Sequence, residues 1–129
     1  MSENQKKIWI TGASSGIGKS VAQKFSAEGW KVAVSARRKE ILNEMAKDKN
    51  IFSFPLDVTN LNNCNDTFEN ILQEFQDVDL CFFCSGTYDP NKEKEINLEQ
   101  NKFVMNVNYF GVLNCVKSVE EYFKSKKQG

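Results

Sequence analysis

The chain has 129 residues, 40% hydrophobic and 12% aromatic, which suits one globular domain with its own core. Lys+Arg and Asp+Glu both number 17, and this balance argues against a general nucleic-acid or anionic-membrane binder. The absence of His removes His-based triads and His metal sites. No apolar run is long enough to span a bilayer, and no apolar region follows the MSENQKK start, so a cytoplasmic protein without a signal peptide is expected.

Short apolar runs alternate with helical periodicity along the whole chain, without a linker or repeat. Residues 7–11 (KIWIT) make a first strand that ends in a Gly-rich turn. Ile17, Val21, Ala22 and Phe25 then share a helical face, and Gly29 stands where a C-terminal cap belongs. Residues 31–36 (KVAVSA) make a second strand, followed by a helix with Ile41, Leu42, Met45 and Ala46 on one side. A third strand covers 51–56 (IFSFPL). Thr59 is the expected N-cap of a helix whose apolar face is Leu61, Cys64, Phe68, Ile71, Leu72 and Phe75.

The fourth strand, VDLCFF (78–83), is apolar on both faces, as a strand covered on both sides is. Cys81 and Cys84 form a Cys-x-x-Cys pair, but side chains three apart on a strand point to opposite faces, so small buried thiols are expected rather than a metal or redox site. From about Leu98 a long helical stretch carries Phe103, Val107, Phe110, Val112, Leu113 and Val116. Strands alternating with helices mean a parallel α/β sheet.

TGASSGIGKS (11–20) opens a helix directly after the first strand, where free N–H groups and the helix dipole favour an anion. Gly12 suits a tight turn, Gly16 lets the backbone approach a pyrophosphate, and Gly18 lets helix and strand pack closely. The same letters end in Gly-Lys-Ser like a phosphate-binding NTPase loop. That alternative needs Gly where Ala13 stands, and no strand ending in Asp supplies its magnesium partner. At the end of the second strand, SARRKE places Arg37 and Arg38 about 20 residues after the last glycine, with no acid before Glu40. An acid there takes a ribose 2′-hydroxyl, whereas the planar Arg fork suits a 2′-phosphate. NADP(H) is therefore expected over NAD(H).

TGASSGIG (11–18), SARR (35–38), LDVT (56–59), VDLCFFCSG (78–86) and NVNYFG (106–111) together resemble the short-chain dehydrogenase/reductase family, in its order and on its elements. The resemblance covers nearly the whole chain. It implies a Rossmann-like parallel sheet of four strands in the order 3-2-1-4 with helices on both faces, truncated relative to the full doubly wound fold, as one NADP-binding domain over 1–129. Gly12, Ser14, Ser15, Gly16, Ile17 and Gly18 would wrap the adenosine ribose and pyrophosphate. Arg37 and Arg38 would meet the 2′-phosphate, Asp57 and Val58 would border the adenine, and Ser85 and Gly86 would keep the backbone close to the cofactor. Asn108 matches the family's catalytic Asn, with Asn106 the alternative. The family's Asn-Asn-Ala-Gly is Phe83-Cys84-Ser85-Gly86 here, so the Asn that braces the central sheet is replaced.

By the same resemblance, a fifth strand ending in a catalytic Ser and then a Tyr-x-x-x-Lys helix should follow. Reduction of a carbonyl needs a hydride from the nicotinamide and a proton from a Tyr whose pKa, near 10 when free, is lowered by a cation. Tyr122 and Lys126 have the spacing, yet they come 14 residues after Asn108 with no strand between, so they are expected to end the same helix, with Gly129 as its stop. The expected function is the cofactor-binding portion of an NADP-dependent oxidoreductase acting on a carbonyl or alcohol, inactive alone. A non-catalytic nucleotide-binding or self-associating module, paired as a homo-oligomer through the last helix or the open fourth strand, is the alternative.

Overall fold

The structure is a computed structural model and describes residues 5–92 and 94–129. Strands β1 (Lys7–Thr11), β2 (Lys31–Ser35), β3 (Ile51–Ser53) and β4 (Leu80–Phe83) form one parallel sheet in the expected order, β3-β2-β1-β4. Trp9 in β1 stands opposite Ala33 of β2 on one side and Cys81 of β4 on the other.

Alternation along the two central strands sorts the core into two layers. Ile8, Ile10, Val32 and Val34 face α1 (Gly16–Ala27) and α2 (Lys39–Met45), where they meet Ala22, Leu42 and Met45. Trp9 and Ala33 face the other way, against Cys64, Phe68, Ile71 and Phe75 of α3 (Leu61–Phe75). Each such fully buried Ile or Val contributes ~1.5–3 kcal/mol, so β1 and β2 carry much of the stability. Trp9 organises its layer. Its ring stacks on Phe68 at 5.5 Å, meets Phe83 edge-on at 5.5 Å, and donates its indole N–H to Ser35 Oγ at 2.9 Å. Phe83, standing where the family has a polar brace, thus braces by packing. The buried Thr11 hydroxyl beside it has no hydrogen-bond partner among the described residues.

Several boundaries differ from the sequence reading. β3 ends at Ser53, and beyond it the chain keeps single bonds to the β2 side from Phe54 N–H to Val34 O (2.9 Å) and from Leu56 N–H to Ala36 O (3.0 Å), with Pro55 between them tolerated because its ring nitrogen faces the open sheet edge. β4 starts at Leu80 rather than at Val78, which is buried in the core. Asn60, not Thr59, caps α3, its side chain accepting the Asn63 N–H at 2.9 Å. Thr59 turns back instead, giving its N–H and hydroxyl to Asp57 Oδ1 at 3.0 and 2.7 Å. β4 lies at the sheet edge, as the order 3-2-1-4 requires, but its two faces are only partly covered: Leu80 is 41% exposed and Cys81, Phe82 and Phe83 are half-buried.

The stretch from Leu98 is not one regular helix. It comprises α4 (Leu98–Met105), a π-helical turn (Asn106–Phe110) and α5 (Gly111–Lys126). Its buried stripe is Val107, Gly111, Cys115 and Val119, at four-residue spacing. Phe103, Phe110, Leu113 and Val116, expected to face inward, are 40–51% exposed. Helix α5 ends on Lys127, a left-handed residue at φ 55°, rather than on Gly129. No helix among the described residues is long and apolar enough to cross a membrane.

Candidate functional site

Four residues reverse the chain between β1 and α1. Gly12 adopts φ 67°, and a Cβ on it would lie 2.5 Å from the Cys84 carbonyl oxygen, so the turn rests directly on the segment after β4. Ser15 occupies the N-cap position of α1 without a side-chain bond to the helix, and no acidic side chain stands in the first turn. The leading N–H groups therefore keep their capacity for an anion.

This turn forms one wall of a cleft of about 670 Å³. Gly12, Ser14, Ser15, Gly16, Ile17 and Gly18 line it on one side, Arg37 and Arg38 at the end of β2, Asp57 and Val58 beyond β3, and Ser85 and Gly86 after β4. The sheet thus brings all twelve expected binding residues to its carboxyl edge, beside the point where β1 has neighbours on both sides. Ala36, Leu56, Cys84, Thr87 and Val107 share the lining. Their side chains carry no chemical signal, so only the topology finds them. Both arginines are exposed, and neither joins an ion pair among the described residues. Lys19 lies elsewhere, in a groove with Glu40 and Glu44, away from the position an NTPase loop needs.

Asn108 sits in the π-helical turn with both ends of its carboxamide engaged: Oδ1 accepts the Thr87 N–H at 2.6 Å and Nδ2 donates to Thr87 O at 2.9 Å. It pins the segment after β4, and its Oδ1 would be 3.6 Å from a Cβ on Gly86. Asn106 is exposed. The Cys-x-x-Cys residues have separate surroundings: Cys84 lines the cleft, while Cys81 packs against the α3–α5 layer. Burial pushes the Cys81 thiol up to about 12, against the pull of nearby Lys126.

Tyr122 and Lys126 do end the last helix, but they are not a loose charged tail. The Tyr122 hydroxyl accepts the Val78 N–H at 2.9 Å, and Lys126 Nζ donates to the Val78 carbonyl at 2.8 Å. The pair clamps both backbone groups of a buried residue just ahead of β4, with the Tyr122 ring edge-on to Phe68 at 5.4 Å. Tyr122→Phe keeps the ring and orphans the Val78 N–H, so it should lower unfolding free energy by ~1–2 kcal/mol in a denaturant melt. Nucleotide affinity should stay within about twofold, since neither group faces the cleft.

A four-stranded parallel sheet with a glycine turn, an uncapped helix and two free arginines at one edge defines a domain of the dinucleotide-binding class. The family model described as short chain dehydrogenase matches residues 6–129, and the chain belongs to that family. It is 34% identical to dehydrogenase/reductase SDR family member 7 of Mus musculus, over 95% of this chain and 39% of the relative. It is 29% identical to an uncharacterised oxidoreductase of Staphylococcus epidermidis, over 97% of this chain and 55% of the relative. Among solved structures, ElxO with NADP bound superposes with a TM-score of 0.87 at 24% identity, covering 97% of this chain and 53% of the other. The chain therefore spans about 39–55% of the length of these relatives.

Proposed function

We propose that residues 1–129 are one NADP(H)-binding domain, the cofactor-holding portion of an oxidoreductase that moves a hydride between NADP(H) and a carbonyl or alcohol. One observation carries this reading: an uncapped, acid-free helix N-terminus opens into the same cleft as two unpaired arginines. The leading N–H groups of α1 would hold the pyrophosphate, with Gly12, Ser14, Ser15, Gly16, Ile17 and Gly18 around it. Arg37 and Arg38 would take the 2′-phosphate as planar forks. Asp57 and Val58 would border the adenine, and Ser85 and Gly86 would lie under the bound dinucleotide.

When bound, the nicotinamide supplies the hydride. In this reading Asn108 helps to organise the proton relay and holds the wall at Thr87. Tyr122 is committed to Val78 and takes no part in proton transfer. The domain alone would bind through the adenosine end and not turn over. In a competition titration, 2′,5′-ADP should displace NADPH about as well as NADP does; a large advantage for the whole dinucleotide would refute binding through the adenosine end.

A second reading, self-association, is favoured by the exposed apolar side chains of Phe103, Met105, Phe110, Leu113 and Val116 and by the open edge of β4. Sedimentation over a concentration series separates the two: a monomer at all concentrations removes self-association and leaves the nucleotide reading intact.

A further inference from the structure

Val58 belongs to the irregular segment between β3 and α3, yet it is held from several directions. A Cβ on Gly111 would lie 2.6 Å from Val58 Cγ2, so helix α5 rests directly on its side chain. The Val58 carbonyl accepts Asn114 Nδ2 at 2.9 Å and the Cys64 thiol at 3.7 Å. Cys64 and Cys115 are both buried, and their interaction raises the Cys115 thiol and lowers that of Cys64. Gly111, Asn114 and Cys115 lie within about one turn of α5, and none of them lines the cleft. Val58 and its neighbour Asp57 do line it.

The Asp57 carboxylate has little freedom. Oδ1 is taken by Thr59, and the Asp57 N–H is donated to Asn63 Oδ1 at 2.9 Å. The direction of the remaining oxygen therefore follows the backbone at 57–58. Two carboxamides tie that backbone from other elements, Asn63 of α3 at the Asp57 N–H and Asn114 of α5 at the Val58 carbonyl, both at 2.9 Å, and only Asn114 holds the Val58 end from α5. Val58 is only 8% exposed, so water is poorly placed to replace a lost donor at its carbonyl.

We propose that Asn114, which touches no ligand, is a positioning residue for base recognition: its Nδ2 donor fixes the Asp57–Val58 wall against which the cofactor's purine lies. This inference rests on the nucleotide reading above. The carboxamide is suited to the task because it gives an N–H to the carbonyl. A carboxylate of the same shape would set oxygen against oxygen and push the wall away. The effect of losing Asn114 is then felt at the base and not at the phosphates, which the glycine turn and the arginines hold.

The test compares NADPH with its hypoxanthine counterpart, which carries an exocyclic carbonyl oxygen in place of the adenine amino group, on the full chain. The wild type should bind the adenine form more tightly. Asn114→Asp, nearly isosteric, should lower that preference about three- to tenfold, while affinity for inorganic pyrophosphate is unchanged. A merely structural role would weaken all three ligands together. A folded Asn114→Asp chain with the wild-type preference overturns the inference. Should that variant not fold, Gly111→Ala drives Val58 from the same helix; it should erode the preference, and adding Val58→Ala should restore it. An unchanged preference in Gly111→Ala is equally fatal. A wild type that binds both dinucleotides equally overturns this inference alone, whereas one that binds neither overturns the nucleotide reading as well.

Discussion

Replacing Arg37 and Arg38 together with Ala should weaken binding of 2′,5′-ADP and NADPH about 100-fold, while NADH affinity changes by less than about threefold. Charge-assisted hydrogen bonds contribute ~1.5–3 kcal/mol each, so losing the pair's contacts with one phosphate supports an effect of that size. The two arginines are exposed, at the lip of the cleft and in no ion pair among the described residues, so they are placed to make those contacts. Each single variant should cost part of that loss. Raising the salt should narrow the gap between wild type and double variant, as expected for exposed charges. Equal losses for NADPH and NADH would instead mean that the arginines serve the pyrophosphate common to both, and the 2′-phosphate assignment would fall.

What the sequence revealed and what it hid divide along a physical line. The glycine turn, the arginine pair and the parallel α/β class were legible because each is a local pattern: a fixed spacing after a strand, an unusual charge at a strand end, a repeated alternation of periods; the strand order came from the resemblance to the family. The inward face of α5 was hidden because small residues carry it. Gly111 and Cys115 have almost no hydrophobic bulk, while Phe110, Leu113 and Val116, which have it, face outward. Any count of apolar bulk selects the wrong side of such a helix.

The Asn60 cap was missed in favour of Thr59 because both residue types favour that position. The choice depends on Asp57, which captures the Thr59 side chain first. The Tyr122 clamp was out of reach for another reason: its partner Val78 lies 44 residues earlier, and no spacing within a helix encodes a bond to a distant backbone group. The spacing shared by Tyr122 and Lys126 is genuine helix geometry, put to a structural use. Position in the fold separates that use from catalysis, and the residue types alone do not.

Gly18→Ala should cost ~3 kcal/mol or more in unfolding free energy and abolish measurable binding of 2′,5′-ADP. A Cβ at this position collides with the Gly12 carbonyl oxygen, lies 2.8 Å from the carbonyl carbon, and presses on Ala13 Cα at 3.2 Å. All three are backbone atoms, so no flexible side chain can move aside, and relief requires α1 to shift away from β1. That shift opens the turn, misdirects the N–H groups at the start of the helix and removes the wall that Gly12 forms against Cys84. Gly16→Ala supplies the control. Nothing lies within 4 Å of a Cβ there, but φ is +54°, so the expected loss is the ~1–2 kcal/mol of a left-handed residue, with the turn otherwise in place. Thermal melts should therefore separate the two variants, with a large loss for Gly18 and a modest one for Gly16, while nucleotide titrations should weaken for both, since a Cβ on Gly16 enters the cleft where the pyrophosphate would lie. If the two alanines prove equivalent, close helix–turn packing is not what shapes the cleft, and the glycines serve only the path of the chain.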